Sequence, residues 1–145
     1  MSLANFAARP LLALLAFAGW AVILVLLIGF HRVSAVLMGA KRPNEFPSGV
    51  PHGGDRYWRL NRAHINTVEN LPIFASIVLA GAALGVSSER LAGLAEVIVI
   101  ARVAQSFFHV LSGRSLVVNF RFSAYLVQVT CFAWMIAETL RLATQ

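Results

Sequence analysis

Charged residues are scarce in this chain. They make up 12% of its 145 residues, against about 25% in a soluble globular domain. Cysteine is scarcer. Cys131 stands alone, which excludes an intramolecular disulfide and a cysteine-ligated metal cluster. It lies in the apolar stretch VTCFAW and reads as a buried, inert thiol. No two of the four histidines have metal-ligand spacing, so no metal site is expected. Low-complexity tracts and a convincing internal repeat are also missing. What is abundant is apolar surface: 59% of residues are hydrophobic and the mean hydropathy is +0.75. The chain therefore reads as one integral membrane domain over residues 1–145. Its formal charge of +6 falls in the loops between apolar runs. Membrane topology explains that placement, and a nucleic-acid partner is not expected.

Four apolar runs predict four membrane-spanning helices, at about 10–38, 57–86, 89–111 and 121–142. The first contains PLLALLAFAGWAVILVLLIGF, Pro10 to Phe30, without one charge. That run is too long for a signal-peptide core, so the helix is expected to stay. Ser88 follows the turn GVSS and is placed to cap the third helix. Short connections make consecutive helices antiparallel neighbours. The fold class is an all-α membrane protein, an antiparallel bundle of four transmembrane helices.

Lysine and arginine divide unequally between the two ends of the bundle. Arg32, Lys41, Arg42, Arg56, Arg59, Arg62, Arg114 and Arg121 belong to the first and third loops and their flanks. Arg9, Arg90 and Arg141 lie at the other end. This bias places the first and third loops in the cytoplasm and both termini outside.

The polar residues inside the spans are ordered. At about 100° per residue, Arg59, Asn66 and Glu69 fall within about 60° of Arg62, while His64 points to the opposite face. On the third helix Gln105, Ser106 and His109 fall within about 60° of Arg102. Both stripes run toward the cytoplasmic end, where Arg121 opens the fourth helix. A charge at bilayer depth costs at least about 2.5–3.5 kcal/mol, and two facing polar stripes avoid much of that cost. Glu69 has natural partners in Arg102 and Arg62. One glutamate cannot neutralise Arg59, Arg62, Arg102 and Arg121 together, so the surplus calls for a small anion such as a carboxylate or thiolate. A Glu–Arg pair that only glues helices together is the competing reading. His64 reads as a helix–helix hydrogen bonder, and Glu96 and Glu138 as groups satisfied by local partners or by water.

These residues resemble the MAPEG family, membrane proteins of eicosanoid and glutathione metabolism. NRAHINTVENLPIF looks like that family's second-helix motif, nearest to microsomal glutathione transferase-like bacterial members. ARVAQSFFHVLSG and RSLVVNFRF look like its third-helix arginine and the arginine that opens the fourth helix. The likeness covers about Tyr57 to Tyr125. It implies a homotrimer in a bacterial inner membrane, with glutathione as co-substrate at sites between neighbouring subunits. By that analogy Arg62, Asn66 and Glu69 hold the tripeptide, with Arg59 on the same stripe and His109 where many members have tyrosine. Arg102 would line the site from the neighbouring chain, and Arg121 or Arg114 would stabilise the thiolate, Arg121 being the better match. The implied activity is a transferase or peroxidase acting on hydrophobic electrophiles from the bilayer. The sequence departs from the family pattern at His109 and near Gln105, where members commonly have tyrosine. The alternative is a non-catalytic membrane module that binds a small anion or a partner helix.

Overall fold

The computed structural model describes residues 3–47, 50–111 and 113–145. Ser112, inside the third-helix stretch quoted above, lies outside the described residues. Four helices follow in chain order: α1 (Leu3–Leu37), α2 (Asp55–Ala83), α3 (Glu89–Leu111) and α4 (Ser115–Ala143). Each is long and apolar enough to cross a membrane, and no strand occurs among the described residues. α1, α2 and α3 pack mutually. α4 lies along α3 and touches α2 more lightly, and α1 and α4 are on opposite sides of the bundle.

The helix ends follow from local chemistry. Ser88 Oγ accepts the Leu91 N–H at 3.1 Å, the side-chain cap expected for α3. α2 stops at Ala83 rather than near residue 86, because Gly85 takes the left-handed conformation at φ 67°. The Gly85 N–H bonds Ala82 O and the Val86 N–H bonds Gly81 O, both at 3.1 Å, which closes a Schellman turn on the last carbonyls. α1 begins at Leu3, before the expected residue 10, and takes Pro10 into its interior. α4 begins at Ser115, not at Arg121. SLVVNF contains neither glycine nor proline, so nothing stops the helix until Gly113. Arg121 is thereby carried about 9 Å along the helix from its first residue.

One face of each helix builds the core. On α1 the buried positions are Ala13, Phe17, Ala21, Leu24 and Ile28, a spacing of three and four that keeps them on one stripe. Phe17, Phe74 and Phe132 link α1, α2 and α4 through ring contacts of 5.4 and 6.0 Å. Ile98, Ala95 and Met135 fill the space around them. The opposite face of α1 exposes Leu12, Leu15 and Leu26, as a lipid-facing surface does.

At the end of the bundle that holds the termini, charges are paired between helices. Arg9 on α1 makes two bonds to the Glu96 carboxylate on α3, at 2.8 and 3.0 Å. Arg141 binds both oxygens of Glu138, and Arg90 on α3 reaches the same carboxylate at 3.5 Å. Glu96 therefore clasps α1 to α3, through a partner 87 residues away where a local one or water was expected, while Glu138 is held mainly by Arg141 of its own helix. At the other end, Arg32 donates to the Tyr57 hydroxyl at 2.7 Å and ties α1 to α2. Gly53 holds the entry to α2 with φ 73°, and a Cβ there would lie 2.9 Å from the Tyr57 ring.

Phe17 is fully buried and touches both Phe74 and the Arg102 guanidinium. Phe17→Ala should destabilise the bundle by about 3–5 kcal/mol, read as loss of detergent-resistant thermal stability. Leu26→Ala on the exposed face should change it by less than about 0.5 kcal/mol.

Candidate functional site

A cavity of about 510 Å³ lies between α2, α3 and α4, in the half of the bundle nearer the α1–α2 and α3–α4 loops. α2 supplies Asn66, Glu69, Asn70 and Ile73. α3 supplies Gln105 and His109. α4 supplies Val118, Arg121, Phe122 and Tyr125. Along α2, Glu69 stands about 21 Å from the helix start, so the cavity reaches toward the middle of a hydrocarbon core about 30 Å thick.

The α2 stripe turns away from its own chain's core. Ala63, Thr67 and Phe74 take the buried face. Arg62 and Glu69 are exposed, and Arg59, Asn66 and Asn70 are half-buried. Asn70 donates its amide N–H to Asn66 O at 2.8 Å, which leaves its side-chain oxygen for the cavity. Glu69 makes no ion pair among the described residues, so the expected bridges to Arg102 and Arg62 do not form. Its carboxylate stays available at the cavity wall.

The α3 stripe is buried as a unit, with Arg102, Gln105, Ser106 and His109 all inside, yet it serves two directions. Gln105 and His109 face the cavity. Ser106 accepts the Trp20 indole N–H at 3.1 Å on the α1 side. Arg102 also turns toward α1, with its guanidinium carbon 5.5 Å from the centre of the Phe17 ring. It is 1% exposed, and its Nε and Nη2 have no hydrogen-bond partner among the described residues. Glu69 attracts it only at a distance, through Coulombic interaction. Arg102 is thus a core cation behind the site and does not line it.

Arg59 also leaves the cavity. Its Nε–H donates to Val110 O at 3.3 Å, supplying a partner for a carbonyl in the last turn of α3. Arg62 remains beside the site, and it, Arg59 and Arg121 all act electrostatically on His109. Among the described residues Glu69 is the one acid lining the cavity, against Arg121 in the lining and Arg62 at the flank. The balance is positive, with one carboxylate at the inner end.

Of the residues expected to hold ligand, the structure brings Asn66, Glu69, His109 and Arg121 to one cavity, with Arg62 at its flank. Between Arg114 and Arg121, only Arg121 lines it; Arg114 is the N-cap residue of α4. Sequence reasoning passed over Val118, Phe122 and Tyr125. Val118, one turn before Arg121, was hidden by starting α4 at Arg121; Phe122 and Tyr125 fall inside the expected helix, where aromatic residues do not stand out from other lipid-facing sequence. Gln105 is anchored by the Gln128 amide, which donates to its Oε1 at 3.1 Å.

A polar cavity lined by both charge signs within a bundle of apolar helices narrows the classes of protein that fit. The MAPEG family model matches residues 10–141 of the 145-residue chain. The chain belongs to the MAPEG family. It is an integral, multi-pass membrane protein of the family of glutathione and eicosanoid metabolism, and the four-helix bundle is that family's architecture. The match spans all four helices and every residue of the cavity. No curated protein matches the chain.

Proposed function

We propose that this MAPEG protein is a membrane-bound glutathione-dependent transferase or peroxidase acting on hydrophobic electrophiles. The observation that carries this reading is that Glu69, Arg121 and His109 line one 510 Å³ cavity. A tripeptide with one ammonium, two carboxylates and a thiol needs both charge signs within reach. Glu69 suits the ammonium, and Arg62 and Arg121 suit anionic groups. Asn66, Asn70 and Gln105 offer neutral hydrogen-bonding groups between them. The volume lies inside the usual range of about 300–1,000 Å³ for small-molecule sites.

Bound glutathione supplies the thiol. Arg121 holds the sulfur as a thiolate, because an adjacent cation lowers a thiol pKa from its usual value near 8.5. Phe122 and Tyr125 flank Arg121 on its lipid-exposed side, where an apolar electrophile would meet it. His109 is buried beside three arginines, and its role in this reading is to shape the cavity.

The same reading includes a homotrimer. Arg62 and Glu69 are exposed on a membrane-spanning helix, and exposure of charge to lipid is costly. Neighbouring copies would cover that flank and close the site. It also includes an inner-membrane location with the cavity facing the cytoplasm, from the excess of arginine at that end.

A second reading, a non-catalytic module that binds a small anion or a partner helix, draws support from Gln105. Its side-chain oxygen already accepts from the Gln128 amide, so it is not free to accept a proton or hydrogen bond from a bound thiol.

Titrating the purified protein with glutathione and following thiolate absorbance separates the two. The proposal predicts a saturable thiolate signal, absent in Arg121→Ala, with conjugation slowed by about 10²–10³-fold, the usual cost of one preorganised charge-stabilising group. Binding without thiolate in the unmodified chain would favour the non-catalytic module. Orientation is checked in sealed vesicles with Cys131→Ala as background. A membrane-impermeant maleimide should reach Asn44→Cys only from the cytoplasmic face and Ser87→Cys only from the outer face. The reverse pattern contradicts the proposed topology.

A further inference from the structure

A second, larger cavity lies on the other side of α3. It is a groove of about 990 Å³ between α1 and α3, with the start of α2 as its back wall. Its length is apolar: Leu24, Leu27 and Phe30 on α1 face Ile100, Val103 and Phe107 on α3. The polar atoms at its inner end satisfy each other, since the Trp20 N–H is bonded to Ser106 Oγ. Its mouth is different. His31, Ser34 and Arg56 gather there, at the level where α2 begins. Arg56 is exposed and makes no ion pair among the described residues. Its neighbour Arg32 is already held by the Tyr57 hydroxyl.

From Trp20 to His31 the groove follows about 16 Å of helix, roughly half of a 30 Å hydrocarbon core, the depth of one leaflet. An apolar channel one leaflet deep with a free cation at its mouth has the layout of a lipid: an acyl chain below and an anionic headgroup above. We propose that this groove is a binding site for an anionic glycerophospholipid of the leaflet on the side of the α1–α2 loop. One acyl chain lies along α1 and α3, and the phosphate is held by Arg56. Basic pockets between transmembrane helices recognise such headgroups.

Charge argues against a second copy of the chain as the occupant. In a copy with the same orientation, α4 would bring Arg121 to the level of the mouth, and its acid, Glu138, lies at the other end and is already paired. α1 and α3 carry no acidic residue at that level either, and on α2 Asp55 is followed directly by Arg56, so the helix start of a copy brings no net negative charge. A lipid phosphate supplies the missing anion.

Trp20 lines the groove and reports on its contents. In a chain carrying Trp58→Phe and Trp134→Phe, Trp20 is the remaining tryptophan. Reconstitution into vesicles containing phosphatidylglycerol or phosphatidylcholine with brominated acyl chains gives quenching from which relative affinity is read. The proposal predicts a preference for phosphatidylglycerol of about tenfold, the size of one charge-assisted hydrogen bond. Arg56→Gln should bring the ratio close to one, and Arg42→Gln, in the exposed loop, should leave it unchanged. Native mass spectrometry of the tryptophan-intact chain should show the same retention of phosphatidylglycerol and its loss in Arg56→Gln. Equal quenching by the two lipids would overturn the proposal, as would a preference that survives Arg56→Gln or one that Arg42→Gln also abolishes. Absence of quenching by either lipid would assign the groove to a second copy and overturn it as well.

Discussion

A charge inside a bilayer must be paired, wrapped in protein or placed against a polar cavity, because lipid cannot solvate it. The four helices of this protein are arranged around that constraint. At one end Arg9 with Glu96 and Arg90 with Glu138 clasp neighbouring helices, and Arg141 pairs with Glu138 within α4, so both carboxylates are engaged. In the core, Arg102 is wrapped by protein and lies against the Phe17 ring, whose face attracts a cation. At the other end the charges are not cancelled. Glu69, His109 and Arg121 stand around open volume, with Arg62 beside them. A protein that can neutralise its charges at one end and leaves them facing a cavity at the other has a use for them there.

Helix α3 organises the division of labour. Its Gln105 and His109 form one wall of the polar cavity, while Val103 and Phe107 form one wall of the apolar groove. The two are separated by the helix itself, with Ser106 and Arg102 turned toward α1. One face therefore suits a water-soluble, charged co-substrate and the other an amphiphile of the membrane. Gln128 braces Gln105 from α4, and Arg59 caps the last turn at Val110. Each fixes α3 where both walls depend on it.

Much of this was legible in the sequence, and the reasons differ by element. The spans were readable because lipid demands uninterrupted apolar length, and the Ser88 cap because a hydroxyl before a helix has one obvious task. The α2 stripe was readable as a helical periodicity. The start of α4 was not. SLVVNFR looks like a basic loop until one sees that no residue in it stops a helix, and the error hid Val118 from the cavity. The partners of Glu69 were misjudged for another reason. Angular position on a helix says which residues share a face, but not which neighbour that face meets. Arg102 shares its stripe with His109, yet it lies about two turns earlier on α3, against Phe17 of α1. Arg59 shares the stripe of Glu69, yet it sits at the level of the end of α3 and binds a carbonyl there.

The central claim is that the uncancelled charges of α2, α3 and α4 hold glutathione. A structure of the protein in lipid with millimolar glutathione tests it most directly. The account predicts density for one tripeptide per chain in the cavity, its amino end at Glu69 and its sulfur beside Arg121. Glu69 and Arg121 engaged by protein side chains or lipid, with no tripeptide between them, would contradict it.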